Sequence, residues 1–497
     1  MNTPLKILRQ TFGYRSFRPP QSEIIDHVVD GGDALVLLPT GGGKSLCFQI
    51  PAMLRDGVCI VFSPLIALMQ DQVSALKAKG VRAALINSDI ESDTAKVIMR
   101  KVMRGELDLL YVAPERLQMQ DFTAMLDKLY DKEGIALFAI DEAHCISQWG
   151  HEFRSSYLKL SALHKRYPDI PRIALTATAD KATRKDIVKQ LGLADAPTYI
   201  TSFDRPNINY VVVNRRNEQQ QLLKFLDSHK DETGIVYCQT RDKVDDYAQW
   251  LESHGFTALP YHAGLAIEVR QENLRRFMTE PAIVMTATIA FGMGIDKPDV
   301  RFVAHLGLPS NLESYYQETG RAGRDGLPSE AWMCVGQRDI ATVRRRVEES
   351  TATDARKDVM KIRAEAMIDW LGLTTCRRAG LLAYFDEKAG ACGRCDNCLS
   401  VGKPVGNNYS GRRGQWEAST PKQLPVFMPC YGPLRRWRDQ VARQRRVADY
   451  KVMSEKTLLK LAVKHPRTSD ELSRIEGMTS AMVNLHGAEL LMILTTP

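Results

Sequence analysis

Residues 137–153 read Leu-Phe-Ala-Ile-Asp-Glu-Ala-His-Cys-Ile-Ser-Gln-Trp-Gly-His-Glu-Phe, and the interpretation of the whole chain starts from them. The apolar run Leu137–Ile140 predicts a β-strand, and Asp141 and Glu142 follow at its end. Acidic side chains at a strand end are typical of a site for magnesium and an attacking water. The polar loop that follows carries Trp149 and Phe153, whose rings can stack on bases. The stretch therefore predicts that nucleotide hydrolysis is coupled to nucleic acid.

The same pattern of a short apolar run, a loop and a helical segment recurs over the first 300 residues. The predicted strands are Ala34–Leu38, Val58–Phe62, Leu109–Val112, Leu137–Ile140 and Ile173–Leu175, and then Ile208–Val213, Gly234–Cys238, Ala282–Met285 and Phe302–His305. Strands that alternate with helices indicate a parallel sheet with helices on its faces. Because the pattern restarts after Asp204–Asn207, we expect two α/β domains with a boundary near residue 205.

A glycine-rich loop lies between the first predicted strand and a helix beginning near Leu46. Its residues are Pro39, Thr40, Gly41, Gly42, Gly43, Lys44 and Ser45. Leu38 stands where the full G-x-x-x-x-G-K-[ST] pattern has its first glycine, so only the shorter T-G-x-G-K-S form is met. Glycines let backbone N–H groups wrap around phosphates, Lys44 would reach the β- and γ-phosphates, and Ser45 would ligate Mg²⁺ together with Asp141. The alternative is a glycine-rich turn without a ligand.

Two arginines follow glycines in residues 317–324, Gln-Glu-Thr-Gly-Arg-Ala-Gly-Arg. Arg321 and Arg324 are spaced one helical turn apart. Guanidinium groups stabilise the charge on a phosphoryl group in transfer, so Arg324 would act as a finger if the second domain faces the first. Surface arginines in salt bridges are the alternative.

Four cysteines fall within a short stretch after the two predicted domains: Cys376, Cys392, Cys395 and Cys398. Their C-x15-C-x2-C-x2-C spacing favours a structural Zn²⁺ with four thiolate ligands. Iron–sulfur ligation and four thiols without metal remain as alternatives. Five other cysteines lie singly in apolar segments and are predicted to be reduced core residues: Cys47, Cys59, Cys145, Cys238 and Cys334.

The net charge of +8 lies entirely in residues 401–497, where Lys and Arg are twice as frequent as Asp and Glu. A basic tail on a neutral body favours an acidic polymer as partner. Apolar residues at helical spacing predict a small helical unit from residue 432, in which Arg443 and Lys451 would meet phosphates. A helical bundle with a protein partner is the alternative. No apolar run approaches the roughly 20 residues that a membrane span needs, and the first ten residues lack a signal-peptide core, so we expect a cytoplasmic protein.

In this order, the motifs resemble those of the RecQ family of superfamily 2 DNA helicases. The resemblance extends over residues 5–400 and is most specific in the aromatic loop and the cysteine cluster. The matching segments are 12–21 (motif 0), 39–45 (I), 63–72 (Ia), 141–144 (II), 147–153 (aromatic loop), 175–179 (III), 291–298 (V) and 317–324 (VI).

The resemblance implies a role for each matching residue. Arg18 and Gln21 would contact the adenine, and Thr40–Ser45 would hold the phosphates of ATP. Asp141 and Glu142 would serve Mg²⁺ and the attacking water, and Arg321 and Arg324 would complete the ATP site. Gln148, Trp149 and Phe153 would sense single-stranded DNA and relay its presence to ATP.

The resemblance also implies the domain order. We expect RecA-like domains at 1–205 and 206–340, a helical hairpin with a zinc-binding subdomain at 341–400, a linker at 401–431, and an all-helical HRDC-like domain at 432–497. The family usually carries a winged-helix domain before the HRDC domain, and such a domain needs about 100 residues. Residues 399–433 are too few, so we expect it to be absent.

The resulting expectation is an ATP-dependent helicase that translocates 3′ to 5′ on single-stranded DNA, in recombination, repair and replication. Its cofactors would be ATP, Mg²⁺ and structural Zn²⁺. Its partners would be single-stranded and forked DNA and a single-strand DNA-binding protein. It would be a monomer, associated with the nucleoid in a bacterium. A DNA-stimulated ATPase that unwinds weakly and a DNA-binding or annealing scaffold are the alternatives.

Overall fold

Two parallel β-sheets organise the chain up to residue 335. The computed structural model describes residues 3–87, 92–150, 152–292, 297–399, 431–445, 452–464 and 466–495. Both sheets contain only parallel pairings in these ranges. The expectation of two tandem parallel-sheet, RecA-like domains is therefore confirmed.

The first sheet has seven strands in the order β3-β4-β2-β5-β6-β1-β7. They are β1 (Ala34–Leu37), β2 (Val58–Phe62), β3 (Ala83–Ile86), β4 (Leu109–Val112), β5 (Ile135–Ile140), β6 (Arg172–Thr176) and β7 (Thr198–Ile200). The helices are α1 (Pro4–Gln10), α2 (Gln21–Val29), α3 (Leu46–Leu54), α4 (Ile66–Ala78), α5 (Ser92–Met103), α6 (Gln120–Tyr130), α7 (Leu163–Arg166) and α8 (Lys181–Leu191), with 3-10 turns at Pro114–Gln118, Ala143–Ile146 and Ser155–Ala162. Strands β2 and β5 are buried at every residue, as expected for a parallel sheet covered on both faces.

The second sheet has six strands in the order β10-β11-β9-β12-β13-β8. They are β8 (Ile208–Asn214), β9 (Gly234–Cys238), β10 (Thr257–Tyr261), β11 (Ile283–Ala287), β12 (Phe302–Leu306) and β13 (Ser329–Val335). The helices between them are α9 (Glu218–Asp227), α10 (Arg241–Ser253), α11 (Ile267–Thr279) and α12 (Leu312–Thr319).

The sequence analysis did not predict four of the observed strands: β3, β7, β10 and β13. In addition, the first strand ends at Leu37, so the predicted strand was one residue too long. The five singly placed cysteines are buried without a disulfide, as predicted.

A helical segment packs against the join between the two sheets. It comprises α13 (Gln337–Glu348), α14 (Asp354–Leu371), α15 (Arg377–Tyr384) and α16 (Asp396–Leu399). Phe385 stacks on Phe203 with ring centroids 4.6 Å apart, and Tyr316 lies edge-on to both rings. Arg363 on α14 donates to Asp180 of the first domain at 2.7 Å and pairs with the buried Glu313 of the second.

The remaining described residues form a separate helical unit. Its helices are α17 (Tyr431–Arg445), α18 (Glu455–Lys464), α19 (Ser469–Ser473) and α20 (Ser480–Thr495). Leu434, Leu458 and Leu472 form part of its core, as the helical spacing predicted. Thr468 caps α19 by accepting from the backbone N–H of Glu471 at 3.2 Å. The predicted linker 401–431 lies outside the described residues except for Tyr431. None of the described helices combines the length and the apolar character required to cross a bilayer.

Candidate functional site

The candidate site lies at the carboxyl edge of three neighbouring strands, β5, β6 and β1. The glycine-rich loop follows β1, Asp141 and Glu142 follow β5, and Thr176 ends β6. Loops after the carboxyl ends of neighbouring parallel strands converge, and ligands of open α/β sheets bind there. The fold therefore brings together sequence segments that are about 100 residues apart.

The glycine-rich loop needs glycine at three positions. Gly41 and Gly43 have φ angles of +79° and +77°, which side-chain-bearing residues rarely adopt. At Gly42, a Cβ atom would approach the carbonyl oxygen of Pro39 to 2.9 Å. These three positions are therefore restricted to glycine. The loop leads into α3, in whose first turn the N–H of Gln49 donates to the carbonyl of Ser45 at 2.9 Å. A helix N-terminus behind a loop of backbone N–H groups suits a phosphate.

Lys44 is half-buried, with its ammonium group beneath this loop. Its Nζ donates to the carbonyl of Leu38 at 3.1 Å. Burial lowers the pKa of Lys44, although the nearby Glu142 and Asp141 oppose this shift. An ammonium group beside two carboxylates is in the right place to bind a phosphate oxygen.

Arg18 and Gln21 hold the glycine-rich loop from outside. Arg18 Nη1 donates to the carbonyl of Gly41 at 2.8 Å. Gln21 Nε2 donates to the carbonyls of Gly42 and Gly43 at 3.1 and 3.2 Å, and its Oε1 accepts from the backbone N–H of Arg18 at 2.9 Å. Both residues therefore belong to the site, and their contact with adenine stays a prediction.

Asp141 and Glu142 lie half-buried together at the end of β5. Burial and the charge of Glu142 raise the pKa of Asp141 to about 7. Burial would also raise the pKa of Glu142, but His144, Lys44 and Arg321 together lower it. Glu142 itself has left-handed backbone angles, φ +48° and ψ +48°, so it turns away from the strand direction. Two half-buried carboxylates of unequal basicity suit one cation ligand and one group that orients water.

The donor set fits a magnesium ion. Mg²⁺ prefers oxygen ligands and keeps several waters, so one carboxylate and one hydroxyl are sufficient protein ligands beside nucleotide phosphates. Asp141 and Ser45 can supply these two, and a divalent charge would offset the burial and the charge of Glu142 that raise the pKa of Asp141.

A chain of contacts joins these acids to the end of β6. Nδ1 of the buried His144 lies 3.3 Å from Glu142 Oε2 and 2.9 Å from Thr176 Oγ1. Thr176 Oγ1 in turn accepts from the backbone N–H of Thr178 at 3.2 Å. Sequence motifs pointed to each segment, but not to the roles of His144 and Thr178 in connecting them.

Arg321 and Arg324 come from the second domain and face the same site. We had expected the two arginines to lie one helical turn apart. Helix α12 instead ends at Thr319, so both arginines lie in turns. A Cβ atom placed on Gly41 would meet Arg324 Cγ at 3.3 Å. The charge of Arg324 contributes to the lowered pKa of Lys44, and that of Arg321 to the lowered pKa of Glu142. The alternative of two surface salt bridges is wrong for Arg321, which is buried.

The aromatic loop begins directly after the 3-10 turn that carries His144. Ser147 Oγ donates to Asp186 Oδ2 on α8 at 2.7 Å, which anchors the start of the loop. Gly150 is required by close approach, since a Cβ atom there would lie 2.3 Å from the carbonyl oxygen of His144. Trp149 is 36% exposed, Gln148 is exposed and Phe153 is half-buried. The loop thus presents Trp149 to solvent while its backbone packs on the acidic turn.

The four clustered cysteines converge on one point. Their sulfur atoms all lie within 4.8 Å of one another, with Cys392–Cys398 at 3.9 Å and Cys376–Cys395 at 4.0 Å. A tetrahedral zinc with Zn–S bonds of about 2.3 Å places its sulfurs about 3.8 Å apart, so the cluster fits Zn²⁺. A multi-iron cluster would hold its cysteines farther apart.

Backbone groups favour thiolates in this cluster. Burial raises the pKa of Cys395 to about 12, and it also opposes ionisation of Cys392. At Cys392, hydrogen bonds from the N–H groups of Arg394 and Cys395, together with those from the neighbouring thiols, outweigh burial and lower the pKa to about 7. Cys376 is the N-cap of α15, and Asn397 lies in α16, where its side chain donates to the carbonyls of Leu373 and Thr375. Gly393, with φ +70°, makes the turn between Cys392 and Cys395.

The helical unit at the end of the chain exposes part of its basic charge. Arg443 is exposed on α17, and the neighbouring Arg445 lies 3.0 Å from His486 of α20. Trp437 donates from Nε1 to Glu489 Oε2 at 2.7 Å and fixes the two helices together. Lys451, the other predicted DNA contact, lies outside the described residues, as do Met293–Asp296 of motif V.

Comparison with known protein families agrees with this arrangement. Residues 18–187 match the DEAD/DEAH box helicase family, residues 217–326 the helicase conserved C-terminal domain, residues 337–399 the RecQ zinc-binding domain and residues 428–494 the HRDC domain. Only residues 400–427 separate the last two matches.

Individual relatives lead to the same family. The ATP-dependent DNA helicase RecQ of Haemophilus influenzae is 45% identical over 402 residues, which cover 81% of this chain and 64% of that protein. The protein of the same name in Bacillus subtilis is 42% identical, with 80% of this chain and 66% of that one covered. The chain therefore spans slightly less than two thirds of these curated relatives.

Among solved structures, the DUF1998 helicase MrfA bound to DNA and AMPPNP aligns with a TM-score of 0.57 at 19% identity, covering 77% of this chain and 56% of that one. At this identity the likeness concerns the fold alone. The helicase, zinc-binding and HRDC matches follow one another in a single chain that also resembles RecQ proteins over most of its length. The chain belongs to the RecQ family of superfamily 2 helicases.

Proposed function

We propose that the chain is an ATP-dependent DNA helicase that translocates 3′ to 5′ on single-stranded DNA and separates duplex strands. The observation that carries the proposal is the approach of Arg324, from the second domain, to Gly41 of the glycine-rich loop in the first. A nucleotide bound there is sensed by both domains, so its hydrolysis can open and close the cleft between them.

Each polar group of the site has a proposed task. Lys44 and the backbone of Thr40–Gly43 bind the β- and γ-phosphates, and Arg18 and Gln21 recognise the adenine while bracing the loop. Asp141 and Ser45 hold Mg²⁺, which neutralises phosphate charge when bound. Glu142 orients the attacking water.

The second domain supplies the positive charge. Arg324 acts as the finger on the γ-phosphoryl group, and Arg321 acts beside it. Residues of this kind contribute about 10³- to 10⁵-fold to kcat in related phosphoryl transfers.

The aromatic loop couples DNA binding to the ATP site. Trp149, with Gln148 and Phe153, contacts single-stranded DNA, and the loop backbone transmits its position to the acidic turn, because Gly150 touches the carbonyl of His144. Arg443 and Lys451 add affinity for phosphates that does not depend on sequence. We further propose that the protein is a monomer that acts in the cytoplasm at the nucleoid, on single-stranded and forked DNA coated by single-strand DNA-binding protein, in recombination, repair and replication.

One observation favours a second candidate, a DNA-stimulated ATPase that translocates but unwinds poorly. Residues 400–427 between the zinc-binding and HRDC matches are too few for a winged-helix domain of about 100 residues. A motor without that domain would retain the ATP site described above and lose grip on the duplex.

Strand displacement on a 3′-tailed duplex, measured beside ATPase activity with single-stranded DNA, tests both candidates. We expect displacement with a 3′ tail, none with a 5′ tail, and loss of both activities in Lys44→Ala. Lys132→Ala is the matched control, because Lys132 is exposed just before β5, at the other end of the strand from Asp141. ATPase activity without displacement would favour the translocase, and DNA binding without ATPase activity would favour a scaffold.

A further inference from the structure

Arg205, in the segment that joins the two sheets, holds the turn that carries both site arginines. Its Nη1 donates to the carbonyl of Gly320 at 3.0 Å. Its Nη2 donates to the carbonyls of Ala322 and Gly323 at 2.7 and 3.0 Å. One guanidinium group therefore binds three carbonyls of the four residues 320–323.

The carbonyls of Gly320 and Ala322 need such a partner, whereas that of Gly323 also accepts from the backbone N–H of Gly326 at 3.0 Å. Helix α12 ends at Thr319. Carbonyls at and beyond the end of a helix receive no hydrogen bond from an N–H group of that helix. Gly320, Ala322 and Gly323 are buried, so water cannot readily replace a protein donor. A cation is also favoured at a helix C-terminus by the helix dipole. A planar guanidinium with several fixed N–H groups suits three diverging carbonyls better than the single ammonium of lysine.

The same turn is fitted tightly against the glycine-rich loop. A Cβ atom on Gly320 would lie 3.7 Å from Cβ of Thr40, and one on Gly41 would lie 3.3 Å from Arg324 Cγ. Gly323 has φ +58°, and a Cβ atom there would lie 2.4 Å from Asn207 Nδ2. A displacement of residues 320–323 would therefore move Arg324 relative to the loop.

Arg205 is itself held in place by its neighbours. Asp204 pairs with Arg378 on α15, two residues after the cluster cysteine Cys376. Asn207 Nδ2 donates to the carbonyl of Gly323 at 2.8 Å, parallel to the bonds from Arg205. The joining segment is thus fixed on one side by the zinc-binding region and on the other by the turn.

We propose that Arg205 is a positioning residue for ATP hydrolysis: it fixes the turn of residues 320–323 so that Arg321 and Arg324 face the phosphates. The inference rests on the proposed function. Because its guanidinium is engaged by the carbonyls of residues 320, 322 and 323, Arg205 acts through Arg321 and Arg324, and its loss should affect the transition state more than the binding of ATP.

The test compares Arg205→Ala, Arg205→Lys and Arg55→Ala. Arg55 is the matched control because its guanidinium also donates to three backbone carbonyls, those of Val28, Val29 and Ala136, at the opposite end of the first sheet. ATPase kcat and KM are measured with saturating single-stranded DNA. Binding of ADP with aluminium fluoride, which mimics the transition state, is compared with binding of a non-hydrolysable ATP analogue. Zinc content and Tm are recorded for each variant.

For Arg205→Ala we expect kcat to fall on the order of 10²-fold, the cost of about 1 Å of misplacement at a catalytic group. The KM for ATP and the affinity for the ATP analogue should stay near wild type, while affinity for ADP with aluminium fluoride falls with kcat. Arg205→Lys should recover only part of kcat. Arg55→Ala should leave kcat unchanged even if its Tm falls.

A folded Arg205→Ala protein with wild-type kcat would overturn the inference, as would equal losses of both affinities. If Arg205→Ala does not fold, Arg205→Gln, which can still donate to one carbonyl, takes its place with the same expectations. Failure of the proposed function has a separate signature, because the wild-type protein would then hydrolyse no ATP in the presence of DNA.

Discussion

Gln317 donates a 3.0 Å hydrogen bond from Nε2 to Oγ1 of Thr178 and so joins the second α/β domain to the first. Both side chains are buried. Thr178 is linked through Thr176 to His144, which lies 3.3 Å from Glu142. The bond therefore connects helix α12 with the acidic end of β5 without passing through a nucleotide.

Breaking this bond should weaken communication between the domains. In Gln317→Ala, Thr178 loses its donor, and an unsatisfied buried group costs about 1–3 kcal/mol. We expect DNA-stimulated kcat to fall by about tenfold, within the range of typical coupling energies. The measurement is a double-mutant cycle with Thr178→Val. Additive losses in the two variants would show that the bond does not carry the coupling.

Removing the exposed indole of the aromatic loop should uncouple ATPase activity from DNA. Trp149→Ala should keep basal ATPase activity, lose most of its stimulation, and bind single-stranded DNA more weakly by about 1–3 kcal/mol, the value of one stacked base. Trp250→Ala is the control, because Trp250 packs on Tyr247 and His254 in the second domain. Undiminished stimulation in Trp149→Ala would refute the proposed role of the loop.

A methyl group under the same loop should have a similar effect while leaving every aromatic ring in place. In Gly150→Ala the new Cβ would lie 2.3 Å from the carbonyl of His144, so the loop backbone must shift. We expect the ratio of DNA-stimulated to basal kcat to fall severalfold. Gly390→Ala, where nothing lies within 4 Å of the added Cβ, should keep the wild-type ratio.

Loss of one cysteine ligand should release the metal from the zinc-binding region. Cys395 is fully buried and accepts from the backbone N–H of Arg377 at 3.4 Å, so Cys395→Ser removes both a ligand and a structural contact. We expect zinc content, measured by metal analysis, to drop from one atom to none. Tm should also fall, since structural zinc contributes on the order of 10 kcal/mol to such folds. Cys238→Ala, at a single buried cysteine, should retain its zinc.

The basic helical unit at the end of the chain should act on DNA through phosphates. Arg443→Ala should weaken binding equally for unrelated sequences. It should also reduce the slope of log K against log salt by about 0.7 on single strands for each phosphate contact removed. Arg82→Ala, whose guanidinium is occupied by Asp108 in the first domain, is the control. An unchanged slope would instead support a protein partner for this unit.

Apolar runs predicted nine of the thirteen strands that the described residues form. The positions of the other four strands explain why they were not predicted. Strands β3, β7 and β10 lie at sheet edges. Edge strands are less buried and need fewer branched apolar residues. The sequence of β3 starts with two alanines, and β10 contains Pro260. Strand β13 lies inside its sheet but begins with the polar residues Ser329 and Glu330, so its sequence did not form a continuous apolar run.

The convergence of the site motifs was predictable because each motif is contiguous in sequence, and loops at the carboxyl edge of a sheet must converge. The contacts between motifs were not, because Arg205 and Gly320 are 115 residues apart and no local pattern links them. The helical spacing of Arg321 and Arg324 was misleading for a local reason. Gly320 and Gly323 favour chain turns, and the helix stops before the first arginine.

The stacking of Phe203 on Phe385 has a practical consequence for dissecting this protein. Phe203 precedes the second sheet, whereas Phe385 belongs to the helical segment after it, and Tyr316 completes the trio from within the second domain. A fragment that stops after β13 would leave two large aromatic rings facing water where the third had covered them. Such a fragment would tend to aggregate through the exposed aromatic surface. A low yield or a low activity of the fragment would therefore not show that ATP hydrolysis requires zinc.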